Sequence, residues 1–171
     1  MTARPNYFEL FGLAPNDGID LLDLEARYRE RSRICHPDRH ARADEATRVK
    51  NALATSELNQ AYRVLRDPIR RAEYLLQLGG VALPEKAPPA LLMEMMEQRE
   101  ALSEARAEQD EQRICVLGAE IRGRRASAVA AIAPALDRGE LSAVAEKLVE
   151  LRYYGRFLEE IEAYEEAMES T

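Results

Sequence analysis

The sequence contains no tryptophan, and phenylalanine and cysteine are scarce. Of its 171 residues, three are Phe and two are Cys. Two cysteines cannot form the disulfide framework of a small secreted protein, so we expect both thiols to be reduced. Aromatic residues are few while Ala, Leu, Glu and Arg are abundant, and this composition favours helices over sheets.

Long apolar runs are also missing. No run approaches the length that crosses a bilayer, and no apolar segment follows a basic start. We therefore expect a cytoplasmic protein with no membrane partner. The formal charge of −7 argues against nucleic acid as a partner. Residues 1–80 carry 13 basic and 12 acidic side chains and residues 81–171 carry 11 and 19, which indicates two modules with different partners.

A pair of glycines followed by three prolines marks the boundary between these modules. Gly79 and Gly80 can end a helix, and Pro84, Pro88 and Pro89 cannot continue one. We predict a front module over residues 1–80, a linker over 81–90 and a back module over 91–171.

Both modules are predicted to be helical, so the fold class is all-α. The front module begins with a short apolar helix that starts at Tyr7 and is closed by Gly12 and Pro15, and three further helices start near Asp20, Asp44 and Asp67. Pro37 prevents the second of these four helices from continuing. The back module is predicted to be an antiparallel three-helix bundle over 89–107, 110–136 and 140–168, with Pro134 ending or bending the middle helix.

The tripeptide His36-Pro37-Asp38 lies on the predicted loop between the second and third helices. Because proline lacks an N–H and restricts φ, the turn is rigid and the two polar side chains project from a preset backbone. Such a trio suits a docking site, since loops on a rigid scaffold often carry function.

A chemical role for this loop is the alternative. Cys35, His36, Asp38 and His40 are metal-ligand types, but their spacing is poor, because zinc sites leave two to four residues between paired ligands. A Cys–His catalytic pair would lack an orienting partner. No acid–base set or phosphate loop indicates an enzyme. We expect no catalytic residues, no metal and no cofactor.

The surroundings of the loop resemble the J-domain family. An arginine-rich helix precedes the tripeptide, and the segments "NQAYRVL" and "DPIRRAEY" follow it. The resemblance implies that the loop and the basic face of the preceding helix bind an HscA/DnaK-type ATPase chaperone and stimulate ATP hydrolysis. The residues so implicated are His36, Pro37, Asp38, Arg27, Arg29 and Arg33. The alternative for the arginines is a solvated helix face with ion pairs between residues four apart.

Arg31 departs from the family pattern. It shares a helix face with Leu24, Tyr28 and Cys35, where an apolar residue is usual in the family. We expect its aliphatic stem to lie along the edge of the core while its charged group reaches water.

The segment 91–104 reads "LLMEMMEQREALSE" and holds a wide apolar surface. At about 100° per residue, Leu91, Met95 and Leu102 cluster on one face, which predicts a core stripe. Leu92 and Met96 lie about 100° around the helix axis from this stripe, and Met93 lies at a larger angle. Because a helix in a three-helix bundle buries only one face, we expect some of these three side chains to be exposed. The alternative is that the whole apolar surface packs against two neighbouring helices.

A J-domain, a short linker and an acidic three-helix bundle together resemble the HscB family of J-proteins, also called Jac-type or type III. "RAEYLLQLGG" and "LRYYGRFLEEIE" are similar to segments of that family. The resemblance implies an L-shaped adaptor that delivers an IscU-type iron–sulfur scaffold protein to its chaperone. The implied scaffold-binding residues are Leu92, Met93, Met96, Glu97, Glu100, Glu104 and Tyr153. The alternative is a general J-protein whose acidic bundle binds a different client.

Overall fold

A computed structural model describes residues 5–16, 18–35 and 44–169, the side chains of Cys35 and Glu169 excepted. Within these ranges all regular structure is helical. The seven helices are α1 (Tyr7–Phe11), α2 (Leu21–Cys35), α3 (Glu45–Arg66), α4 (Pro68–Leu78), α5 (Pro89–Ala107), α6 (Glu111–Asp137) and α7 (Leu141–Glu169). The all-α prediction is confirmed, and each helix begins and ends close to its predicted bounds. In the part of the chain that is described, no helix is long and apolar enough to cross a membrane.

Local capping explains the short first helix. The Asn6 side chain accepts a hydrogen bond from the Glu9 backbone N–H, and the Glu9 carboxylate accepts one from the Asn6 N–H, each at 2.9 Å. Gly12 ends the helix at φ 65°, in the left-handed region where glycine carries no steric penalty. These caps satisfy backbone groups that a helix of one turn cannot pair internally.

The front unit, Met1–Leu75, is built around the packing of α1, α2 and α3. Phe8 and Phe11 from α1 are fully buried with Leu24 of α2 and with Leu58 and Leu65 of α3. Burying a large apolar side chain contributes about 1.5–3 kcal/mol. These five side chains therefore hold the three helices together.

The back unit, Leu76–Thr171, contains α5, α6 and α7. Ion pairs from Arg124 to Glu94 and from Arg113 to Glu104 join α6 to α5, and their order shows that these two helices run antiparallel. The division between the units falls within α4, before Gly80. A backbone hydrogen bond links the last turn of α4 to the segment that follows it: the Val81 N–H donates to the Leu76 carbonyl at 2.9 Å.

Pro134 does not end α6, which continues to Asp137. A proline leaves the carbonyl four residues earlier without its helical partner. Here that residue is Ala130, and both Ala130 and Pro134 are exposed, so water can bond the free carbonyl. The missing hydrogen bond therefore costs little free energy at this exposed position near the end of the helix.

Candidate docking surfaces

The predicted triad His36, Pro37 and Asp38 lies outside the described residues, as does His40. The structure defines the two helix ends that flank this segment. α2 ends at Cys35, and Asp44 caps α3 by accepting a hydrogen bond from the Thr47 N–H at 2.8 Å. Hydrogen bonds from the side chain and then the backbone of Thr47 lower the pKa of Asp44, so the cap stays charged at neutral pH.

Aromatic stacking holds α2 against α3. The rings of Tyr28 and Tyr62 stack with centroids 4.2 Å apart, and the Tyr28 hydroxyl donates to the Asn59 Oδ1 at 2.8 Å. Leu24, one turn before Tyr28, is fully buried. Because these contacts restrain the rotation of α2, its opposite face has a defined orientation toward solvent.

Arg29 and Arg33 share that outward face, since they are four residues apart on one helix. Both are exposed, and the Arg29 side chain is 70% accessible even though it pairs with Glu25 at 2.5 Å. An exposed pair of this kind contributes little to stability. Both guanidinium groups are therefore accessible to an acidic partner, as the docking prediction requires.

Arg27 lies on a different side of α2. Its Nη1 donates to the carbonyl oxygens of Phe11 at 2.9 Å and Gly12 at 3.3 Å, while its Nε donates to Asp23 at 2.8 Å. Arg27 therefore ties α2 to the end of α1, and the structure does not bring it together with Arg29 and Arg33. The predicted docking role of Arg27 remains a prediction.

That the aliphatic stem of Arg31 lies along the core edge remains a prediction. Arg31 is exposed, so its charged group reaches water as we expected. It forms no ion pair with any described carboxylate, and a guanidinium without a partner is costly to bury. Its charge adds to the basic surface of α2.

The α5 segment separates into the two faces that its periodicity predicts. Leu91, Met95 and Leu102 are buried, which confirms the core stripe. Leu92, Met93 and Met96 are 38%, 64% and 63% exposed. The expectation that some of these three side chains reach solvent is confirmed, and the alternative that the whole surface packs inside the bundle is not.

Contacts between α5 and α7 set the level of Tyr153 relative to this exposed face. Arg99 of α5 pairs with Glu160 of α7 at 2.7 Å, and the Arg106 guanidinium lies 5.0 Å from the Tyr164 ring centroid. The two helices are therefore parallel. Leu92 lies two turns before Arg99, and Tyr153 lies two turns before Glu160. Leu92 and Tyr153 therefore lie at the same level of the bundle. Tyr153 is half-buried.

The three predicted glutamates follow the exposed apolar side chains along α5. All three are exposed. Glu97 and Glu100 form no ion pair with a described residue, whereas Glu104 binds Arg113 of α6 at 2.8 Å. The carboxylates of Glu97 and Glu100 are thus available to a basic partner, whereas that of Glu104 links α5 to α6. We call Leu92, Met93, Met96, Glu97, Glu100, Glu104 and Tyr153 the α5 patch.

A polar cluster beside the α5 patch was not predicted. The buried Tyr154 lies next to Glu94, which pairs with Arg124. Burial, and then the charges of Glu94 and Glu150, raise the pKa of Tyr154. No local sequence signal identifies this cluster, because its members come from three helices.

A metal site does not emerge from the described part of the chain. No group of three or more His, Cys, Asp or Glu side chains within it could hold an ion. Cys115 is a free, exposed cysteine. The alternative metal ligands His36, Asp38 and His40 lie outside the described residues, as does the side chain of Cys35.

Comparisons with known proteins agree with this two-part organisation. A family model described as "DnaJ domain" matches residues 6–74, and one described as "HSCB C-terminal oligomerisation domain" matches residues 87–162. The chain is 39% identical over 163 residues to a "Co-chaperone protein HscB homolog" of Cupriavidus taiwanensis, covering 93% of this chain and 90% of that relative.

Solved structures are similar over almost the whole chain. The "Chaperone HscB from Vibrio cholerae" is 33% identical with a TM-score of 0.81, and the match covers 96% of this chain and 99% of that one. Human co-chaperone protein HscB is 24% identical with a TM-score of 0.83, covering 96% and 84%, and supports the fold alone. With its J-domain, its carboxy-terminal bundle and these relatives, the chain belongs to the HscB family of J-domain co-chaperones.

Proposed function

We propose that the chain stimulates an HscA/DnaK-type chaperone and delivers an IscU-type iron–sulfur scaffold protein to it in the cytoplasm. The chaperone would bind the His36-Pro37-Asp38 loop and the outward face of α2. The scaffold would bind the α5 patch. Neither step requires a catalytic residue or a cofactor in the chain, because tethering two partners raises their effective concentration.

The observation that carries this proposal is the exposure of Leu92, Met93 and Met96. A soluble bundle buries its apolar face, and contiguous exposed apolar side chains often mark an interaction site. These three lie on two consecutive turns of α5, away from the buried Leu91 and Met95. Their exposure therefore has no explanation within the bundle.

The neighbouring charges indicate what kind of partner fits. Glu97 and Glu100 are exposed carboxylates without an ion-pair partner among the described residues. A partner with an apolar centre and a basic rim would be complementary, because apolar anchors supply most of the affinity while charges at the rim supply steering.

Calorimetric titration of an IscU-type scaffold into the full chain tests the proposal. We expect replacement of Leu92, Met93 and Met96 by Ala to abolish measurable binding. Each anchor at a hot spot contributes about 2 kcal/mol or more. The melting temperature should change little, because the three side chains are exposed.

Two controls distinguish a lost surface from a damaged fold. Met168→Ala removes another exposed methionine, 45% accessible and outside the α5 patch, and should leave binding unchanged. Leu91→Ala removes a buried neighbour and should lower the melting temperature. A stable triple variant that still binds the scaffold would refute the α5 patch as the docking surface.

A second candidate is a general J-protein whose bundle binds a different client. Exposed apolar side chains elsewhere in the bundle favour it, including Val116 of α6 and Met168 of α7. This candidate predicts binding to unfolded polypeptide that an excess of scaffold does not displace. Displacement by scaffold would exclude it.

A further inference from the structure

Methionine is concentrated at the centre of the α5 patch. The chain has five methionines, and three of them are Met93, Met95 and Met96. Met93 and Met96 are more than 60% exposed, whereas Met95 is only 3% exposed. One short segment thus presents two accessible thioethers beside one that the core protects.

We propose that Met93 and Met96 form a peroxide-sensitive modification site, and that their oxidation to methionine sulfoxide switches off scaffold binding. The second half of this proposal rests on the proposed function of the α5 patch. The co-reactant is a small peroxide, which reacts fastest with exposed sulfur atoms.

The reaction balances without any group from the protein. The Met sulfur lone pair attacks one oxygen of hydrogen peroxide, forming the S–O bond as the O–O bond breaks. The thioether loses two electrons and the peroxide gains them. The departing hydroxide takes the proton from the transferred oxygen, so the products are sulfoxide and water.

The surroundings of the two side chains make the product incompatible with a buried interface. Oxidation converts a flexible apolar side chain into a polar one. The sulfoxide oxygen accepts hydrogen bonds, whereas Glu97 and Glu100, one turn after Met93 and Met96, are exposed carboxylates with no proton to donate. Burial under an apolar partner surface would remove the water molecules that bind this oxygen, and an unpaired buried polar group is costly.

The modification would be reversible. Methionine sulfoxide is reduced by two enzymes, one for each epimer at sulfur. The site could therefore report a transient exposure to peroxide and then recover, without proteolysis or resynthesis.

Peptide mapping by mass spectrometry tests the first half of the proposal. The folded full chain is treated with limiting hydrogen peroxide and sampled over time. We expect Met93 and Met96 to gain one oxygen well before Met95, with the 45% exposed Met168 as an internal reference. Oxidation of Met95 as fast as its neighbours would overturn the selectivity.

Calorimetry before and after oxidation tests the second half. We expect peroxide to weaken scaffold binding by at least about tenfold, the effect of one moderate hot spot. Both methionine sulfoxide reductases together should restore it. In a variant with Met93→Leu and Met96→Leu, the affinity before and after peroxide should be equal, whatever its starting value.

The design also separates other causes. The double-leucine variant keeps Cys35, Cys115 and Met168, so an equal loss of binding there would place the sensitive group elsewhere and refute the proposal. Met168→Leu should remain fully sensitive. If the untreated wild-type chain does not bind scaffold, the proposed function fails. If it binds and its oxidised form binds equally well, only this inference fails.

Discussion

The two candidate docking surfaces differ in what they expose to solvent. α2 presents the guanidinium groups of Arg29 and Arg33, while α5 presents Met93 and Met96 beside carboxylates. Charge at an exposed surface accelerates and orients association but is screened by salt. Apolar anchors depend much less on salt. We therefore expect the chaperone to bind in a salt-sensitive manner and the scaffold in a less salt-sensitive one.

The largest effect should come from His36, which follows α2 in the sequence. His36→Gln should abolish stimulation of the chaperone ATPase, because the J-domain resemblance places His36 in the essential triad. Scaffold binding should be unchanged, since the α5 patch belongs to another unit. A steady-state ATPase assay measures the first effect and calorimetry the second. Normal stimulation by a correctly folded variant would refute the J-domain assignment of function.

The next largest effect is the difference in stability loss between core and surface substitutions in α5. Leu102→Ala should destabilise the protein by about 2–5 kcal/mol, because it leaves a cavity in a packed core. Leu102 is 2% exposed, whereas Met93 is 64% exposed and its replacement by Ala should cost less than about 1 kcal/mol. Chemical denaturation measures both values. Equal losses of stability would mean that the two faces of α5 are not distinct.

A smaller effect should distinguish Arg27 from Arg29 in α2, the first affecting stability and the second affecting chaperone binding. Arg27→Ala should lower stability by about 1–2 kcal/mol, because it removes charged hydrogen bonds to the carbonyls of Phe11 and Gly12. Arg29→Ala should leave stability unchanged and weaken chaperone binding, with a difference from wild type that shrinks at high salt. If Arg29→Ala proves the more destabilising change, the assignment of these roles is reversed.

The smallest expected effect concerns Tyr154. Its pKa is raised in the folded state, mainly by burial, so folding favours the protonated hydroxyl. This contribution is fully present below the unfolded pKa, near 10, and is lost as the pH rises through the folded value. Tyr154→Phe should therefore reduce the fall in unfolding free energy above about pH 10. Tyr153→Phe is the control, and an identical pH dependence in both variants would contradict this reading.

Local signals in the sequence were sufficient to predict where the helices begin and end. Capping residues such as Asp44 and Asp67, glycines after helices and the apolar periodicity of α5 act over a few residues, so they can be read without knowing the fold. The same periodicity correctly separated the buried Met95 from the exposed Met93 and Met96.

Contacts between distant residues could not be predicted in this way. Arg27 looked like a member of a basic face, but its hydrogen bonds run to carbonyls at the end of α1. The Arg99–Glu160 pair joins residues in separate helices, and it sets Tyr153 at the level of Leu92. Such pairings depend on how helices pack, which a single sequence does not display.

We propose that the two surfaces work separately, each for one partner. The most direct test is the steady-state ATPase rate of an HscA-type chaperone with the Leu92, Met93 and Met96 to Ala variant, measured with and without scaffold. We predict normal stimulation by the variant alone and no additional stimulation when scaffold is added. Loss of stimulation without scaffold, or a full response to scaffold, would contradict the account.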